Sequence, residues 1–332
     1  MKRHVLILRE NEIRALLDPA ACIQAMERAF AAYATGKAQL PPVINLEVPE
    51  HGGEVHIKTG HLSGGPYYAV KIASGFYGNA ALGRPSSDGM VLVFDSATGA
   101  PAAFLLDNGF ITDLRTAAAG ALAAKYLAGK QIQTVAVIGA GAQARYQMKL
   151  LSLVRPFREA RVWGRNREKT EACAEELRRA GISGQPAFSV APSVEQAVRR
   201  ADLVITVTAS REPLVRAEWL APGETVIAVG SDGPDKQELD VGVLARADRI
   251  VADSLPQCLR LGEIHHAVEQ GAINKEKVSE LGEIAAGLKT GRTRDDELIV
   301  CDLTGVGVQD VAAASLVMER ALAAGGGEKL IL

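Results

Sequence analysis

The chain has 332 residues, 48% of them hydrophobic and 23% charged, with a formal net charge of -2. Such a length and composition describe a globular protein with room for two cores of ordinary size, and the near-neutral balance gives no electrostatic drive toward nucleic acid or an anionic membrane, so neither is expected as a partner. Cys22, Cys173, Cys258 and Cys301 are scattered without a C-x-x-C pair, which argues against a zinc cage or redox dithiol and points to a reducing, cytoplasmic setting.

The start, Met1-Lys2-Arg3-His4, is basic, but Glu10, Glu12 and Arg14 interrupt the apolar residues behind it, so no signal peptide or spanning helix is expected. Asp18-Pro19 reads as an N-cap with proline in the first turn, and apolar spacing from Ile23 through Met26 and Phe30 to Tyr33 predicts a helix that Gly36 stops. The period then changes. Residues 43–48, 54–59, 68–74, 90–95 and 102–106 are short β-prone runs, and Ser96-Ala97-Thr98-Gly99 reads as a hairpin turn. This first region is α+β, on an antiparallel or mixed sheet. An Ala-rich helix over 113–127 follows and bridges to the next region.

From Thr134 the chain alternates strands, at 134–138, 161–163, 203–207, 225–229, 249–251 and 299–303, with helices such as 168–179 and 240–247. Such alternation predicts a Rossmann-type, doubly wound parallel sheet. A last helix, roughly 309–323, runs into a flexible Gly325-Gly326-Gly327.

The first of these strands ends in Gly139-Ala140-Gly141-Ala142-Gln143-Ala144, which fits the G-x-G-x-x-[G/A] dinucleotide fingerprint. Gly139 allows the tight turn, Gly141 leaves room for a pyrophosphate against the backbone, and Ala144 lets the helix pack on the strand. The free N–H groups and positive dipole end of that helix attract the pyrophosphate. About twenty residues on, where an acid usually reads the NAD ribose, the chain has Trp163-Gly164-Arg165-Asn166-Arg167. The missing carboxylate and two guanidinium groups favour NADP(H) over NAD(H); the alternative is that both arginines are solvated loop charges.

Arg115 falls in the first turn predicted for the 113–127 helix, against the helix dipole, so it is either a functional residue or one that pairs with Asp113 or reaches a neighbouring domain. Lys71 sits amid Val70, Ile72 and Ala73, and alternation places it on the wet face of a half-buried sheet unless it points into a cleft. Asp232 follows a parallel strand at its carboxyl end, where open α/β sheets bind ligands, although such residues often only cap turns. His265 and His266 are adjacent and cannot share a helix face, while His51, His56 and His61 lack a convincing set of acidic or Cys co-ligands, so no metal site is expected.

Ile111-Thr112-Asp113-Leu114-Arg115-Thr116, the 139–144 fingerprint, Gly230-Ser231-Asp232-Gly233-Pro234-Asp235-Lys236-Gln237-Glu238-Leu239-Asp240 and Gly305-Val306-Gly307-Val308-Gln309-Asp310 together resemble the ornithine cyclodeaminase/mu-crystallin family across essentially the whole chain. Val154-Arg155-Pro156-Phe157, Gly262-Glu263-Ile264-His265-His266 and Cys301-Asp302-Leu303-Thr304-Gly305 look most like its ectoine-utilisation, cyclodeaminase-like members. The resemblance implies a dinucleotide-binding Rossmann domain, placed at 115–305, and a second α+β domain for substrate binding and dimerisation, formed from both chain ends at 1–114 and 306–332. It implies that Lys71 and Arg115 bind a substrate carboxylate and that Asp232 handles the amino group or its proton.

One departure stands out. Where many members carry an Arg shortly after the proline of the first sheet, this chain reads Pro41-Pro42-Val43-Ile44, and Lys58 replaces a usually uncharged residue on the neighbouring strand. The expected activity is therefore hydride transfer between NADP(H) and the C–N bond of a small amino acid or its imine, with Lys58 restoring the charge. The alternatives are an ornithine cyclodeaminase-type ammonia lyase and a non-catalytic, NADPH-holding ligand-binding protein. Gly139, Ala140, Gly141, Ala142, Gln143, Arg165, Asn166 and Arg167 are the expected cofactor contacts, and a homodimer is the expected assembly.

Overall fold

A computed structural model describes residues 4–331, so Met1-Lys2-Arg3 of the basic start, and Leu332, lie outside the described residues. The chain divides into two compact units, Met1–Arg115 with Val306–Leu332, and Thr116–Gly305. In chain order the first contains β1 (His4–Arg9), α1 (Glu10–Leu16), α2 (Pro19–Ala34), β2 (Ala38–Gln39), β3 (Ile44–Val48), β4 (Gly53–Leu62), β5 (Tyr67–Phe76), β6 (Ser87–Asp95), β7 (Pro101–Leu106) and the start of α3 (Phe110–Leu127). The second continues with β8 (Thr134–Ile138), α4 (Ala142–Leu151), β9 (Glu159–Trp163), α5 (Arg167–Arg179), β10 (Ala187–Val190), α6 (Val194–Val198), β11 (Leu203–Thr206) and β12 (Thr225–Ala228). It closes with α7 (Val241–Arg246), β13 (Arg249–Ala252), α8 (Leu255–Cys258), α9 (Gly262–Glu269), β14 (Val278–Glu280), α10 (Leu281–Ala285) and β15 (Ile299–Asp302). The chain then returns to the first unit as α11 (Gly307–Ala324) and β16 (Glu328–Ile331).

The first unit is built on a mixed sheet of order β16-β1-β7-β6-β5-β4-β2, with β3 also paired to β4. Among the described strands of this sheet, only the β1–β7 pairing is parallel. The Ser96–Gly99 hairpin turn forms, with Asp95 accepting from Ala97 N–H and Thr98 N–H. Helix α11 packs against α2 and lies on β4 and β5. Its first residue must be glycine, because a Cβ on Gly307 would stand 2.2 Å from the Thr59 carbonyl oxygen of β4. This close approach sets Gln309 and Asp310 against the sheet.

Two differences from the sequence reading have simple causes. Strands β1 and β16 pair with each other at the sheet edge; each is short, and its partner is at the far end of the chain, so neither carries a local hairpin signal. Gly325, expected to be part of a flexible tail, is the left-handed C-cap of α11 at φ 64° and turns the chain into β16.

The second unit is an all-parallel sheet of order β10-β9-β8-β11-β12-β15-β13-β14. Every residue of β8, β11, β12 and β15 is buried, which is why these strands read as continuous apolar runs. The order reverses between β8 and β11, the position at which a doubly wound sheet opens a crevice at its strand carboxyl ends.

Candidate active site

In the first unit the ladder register lines up Leu8, Leu105, Val91, Lys71 and Lys58 across β1, β7, β6, β5 and β4. The first three are fully buried apolar residues, yet the row ends in two lysines, 2% and 5% exposed. Alternation had placed Lys71 on the wet face. The structure corrects this, because α11 covers that face of β5 and makes it the dry one. Like charges directly opposite in a ladder repel, and here they do so out of water.

Arg115 and Asp310 complete the cluster, 3% and 1% exposed. Helix α3 begins at Phe110, which puts Arg115 in its second turn, so the dipole penalty expected for a first-turn cation is largely gone. Arg115 Nε lies 3.0 Å from Asp310 Oδ1, and Lys71 Nζ 3.5 Å from Asp310 Oδ2. Arg115 also donates to Gln309 Oε1 at 2.9 Å, and the same oxygen accepts from Val306 N–H at the start of α11.

Despite these ion pairs, Arg115 Nε and both Asp310 oxygens are buried without an aligned hydrogen bond. Buried polar groups are rarely left so. Burial pushes the Lys71 ammonium down to about 7, with Asp310 opposing the shift and Arg115 and Lys58 reinforcing it. Nearby, burial raises Asp107 to about 6, although its carboxylate accepts from Ile111 N–H at 2.7 Å. The cluster is thus a dry, cation-rich patch with unsatisfied donors and acceptors, suited to an anionic group such as a carboxylate.

The Thr116–Gly305 unit carries the fingerprint. Gly139 has φ +130°, and a Cβ there would come within 2.8 Å of the Val207 carbonyl oxygen. Gly141, the N-cap of α4, has no heavy atom within 4 Å of an added Cβ. Ala144 is fully buried, Gln143 half-buried and Ala142 exposed. Arg145 donates to the carbonyls of Ala140 and Gly141 at 2.8 and 3.1 Å and pairs with Glu176. The turn therefore offers an open backbone cradle at a helix N-terminus, which fits a pyrophosphate.

After β9 the three polar candidates divide. Asn166 caps α5 by accepting from Lys169 N–H, and Arg167 pairs with Glu171 at 2.8 Å. Arg165 is exposed on the same loop.

Asp232, on the loop after β12, is paired with Lys236 at 2.7 Å, its side chain 40% exposed and that of Lys236 10% exposed. The structure thus groups Lys58, Lys71 and Arg115 in one unit, and the fingerprint, the 165–167 loop and Asp232 in the other. Gln309, Asp310 and Lys236 were missed as site residues. All three lie within the motifs that carried the resemblance, and that was the available signal.

The family model described as the ornithine cyclodeaminase/mu-crystallin family matches residues 3–325. A protein of Sinorhizobium fredii described as an uncharacterised cyclodeaminase is 46% identical over 321 residues, covering 95% of each chain. The Thermococcus litoralis Δ1-pyrroline-2-carboxylate reductase, solved with NADH and L-proline, superposes with a TM-score of 0.93 at 32% identity, covering 98% of this chain and 100% of that one. An archaeal alanine dehydrogenase dimer with bound NAD gives 0.91 at 38% identity, covering 99% of both. With its mixed-sheet unit, its parallel dinucleotide sheet and this full-length likeness, the chain belongs to the ornithine cyclodeaminase/mu-crystallin family.

Proposed function

We propose that the protein is an oxidoreductase that moves hydride between a nicotinamide dinucleotide and the C–N bond of a small amino acid or its imine. The observation that carries this reading is the buried cluster of Lys71 and Arg115 on Asp310, with Lys58 opposite Lys71 in the ladder, on a chain that also has an open dinucleotide turn. Arg115 and Lys71 bind the substrate carboxylate, with Lys58 as a third cation. Asp232 acts as counter-charge to the protonated imine nitrogen, which makes the neighbouring carbon a better hydride acceptor. The bound nicotinamide supplies the hydride on reduction and takes it back in the reverse reaction. Gly139, Ala140, Gly141, Ala142 and Gln143 hold the pyrophosphate.

NADP(H) is the preferred cofactor in this reading, supported by exposed Arg165 and the lack of a carboxylate at the end of β9. The four cysteines are buried and unbridged, which supports a reducing compartment, the cytoplasm. The assembly is a homodimer. Ile44, Ile57, Ile72 and Met90 share the sheet face opposite the lysines, and Ile44 and Leu46 are 61% and 56% exposed; a second copy would bury them.

The likeness to the Sinorhizobium fredii protein favours a second reading, cyclodeamination of a diamino acid, in which the hydride is taken and returned. Incubation with cyclic ketimine carboxylates, ornithine and 2,4-diaminobutyrate separates the two. Stoichiometric loss of NADPH absorbance with a ketimine is the expected result, whereas ornithine yielding proline and ammonia with catalytic cofactor would replace it.

A further inference from the structure

We propose that Lys236 is a positioning residue for Asp232, an assignment that rests on the function proposed above for that carboxylate. Lys236 is 8% exposed as a residue, and its ammonium donates to Asp232 Oδ1 at 2.7 Å. Its stem runs over the next glycine. A Cβ on Gly233 would lie 3.7–3.8 Å from the Lys236 Cγ, Cδ and Cε atoms, so the ammonium is aimed back along the loop at Asp232. The pair is four residues apart but stands on a loop, outside any helix.

The loop that carries the pair is braced from both ends. The Glu238 carboxylate accepts from Gly230 N–H at 2.8 Å and from the Thr206 hydroxyl at 2.7 Å. Glu263 of α9 accepts from the N–H groups of Glu238 and Leu239 at 2.8 and 3.0 Å. His265 and His266, which the sequence placed on different helix faces, both turn to this loop: their rings lie tilted against each other with centroids 3.7 Å apart, and their Nε2 atoms lie 3.1 and 3.0 Å from the carbonyl oxygens of Pro234 and Lys236. The Ser231 hydroxyl also donates to the Lys236 carbonyl.

Such bracing fixes the backbone at 230–231 and 234–239, on either side of Asp232, and leaves its side chain 40% exposed. An exposed carboxylate with free rotation spends much of its time misdirected, and a buried ammonium on a braced backbone holds Oδ1 and so fixes the orientation of the carboxylate. The pair is unlike an ordinary surface ion pair, whose two long side chains lose entropy for little gain. Here the lysine is already ordered by packing.

The experiment compares Lys236→Met, Lys236→Gln, Lys236→Arg and Asp232→Asn, alone and combined, on the full-length protein with cyclic ketimine carboxylates and NADPH. Lys236→Met is expected to bind dinucleotide normally and lose roughly ten- to hundred-fold in kcat, the scale of one charge-assisted hydrogen bond, with KM changed by less than about threefold. Lys236→Arg recovers most of that loss, and Lys236→Met has no further effect in the Asp232→Asn background. Lys236→Gln serves if the Met variant misfolds.

Normal kcat in a folded Lys236 variant, or an equal loss with and without Asp232, overturns the assignment. If ornithine is the substrate instead, the same variants are read on proline formation, so the redox reading can fail while the positioning role stands. Full turnover by Asp232→Asn removes both.

Discussion

Lys58 and Lys71 stand directly opposite one another on the buried face of β4 and β5, and each lowers the cost of taking an anion from water by raising the cost of its absence. Asp310 tethers Lys71 at 3.5 Å without an aligned hydrogen bond. This relationship makes the cluster sensitive to pH and to any change in its charge.

Lys71 holds its proton only below about 7, so affinity for a carboxylate substrate is expected to fall as pH rises above that value, and Lys58→Met should move the fall upward by removing a repelling neighbour. The sign for stability is opposite. Between about 7 and 10.5 the unfolded chain holds a proton that folded Lys71 lacks, so stability rises with pH across that window. Carboxylate inhibition constants and chemical denaturation, each measured from pH 6 to 10, check the two halves; parallel trends would refute the assignment.

Arg115→Ala is expected to reduce kcat/KM on carboxylate substrates by roughly ten- to hundred-fold, the scale of one charged hydrogen bond at ~1.5–3 kcal/mol. Asp310→Asn should cost more in stability, about 3–5 kcal/mol, because it leaves buried cations unpaired. Thermal melts and steady-state kinetics on both variants distinguish the roles. An Arg115→Ala enzyme with full activity would take the guanidinium out of the clamp.

The two fingerprint glycines should respond differently to alanine. At Gly139 a side chain meets the Val207 carbonyl oxygen at 2.8 Å and a φ of +130°, so Gly139→Ala is expected to destabilise by about 1–3 kcal/mol. At Gly141 nothing lies within 4 Å, so Gly141→Ala should melt normally and lose at least roughly tenfold in dinucleotide affinity, about 1.4 kcal/mol. Calorimetry of NADPH binding beside a thermal melt checks both. Unchanged binding by the Gly141 variant would place the pyrophosphate elsewhere.

Arg165→Asp should reverse the cofactor preference, removing a guanidinium from the 2′-phosphate and supplying the acid that a ribose hydroxyl uses. Arg167→Ala should have a smaller effect, because Arg167 already pairs with Glu171. Fluorescence titration with NADPH and NADH reads the result. A wild-type protein that binds NADH more tightly would reject the NADP(H) assignment outright.

The sequence by itself determined the parallel sheet and the dinucleotide turn, because both are written locally: continuous apolar runs mark strands buried on two faces, and Gly139, Gly141 and Ala144 specify a backbone shape within six residues. It also put forward Lys71, Arg115 and Asp232 as candidates, through the family resemblance more than through periodicity. Only the tertiary structure decided which face of β5 is dry. That depends on α11, whose Gln309 meets Arg115 across 194 residues of chain, and alternation within one strand carries no information about what covers it. Local pattern alone did not single out Asp310 and Lys236, although both lie in the motifs that carried the resemblance, since an acid at the start of a helix and a lysine in a turn read as ordinary solvated charges until tertiary packing buries them.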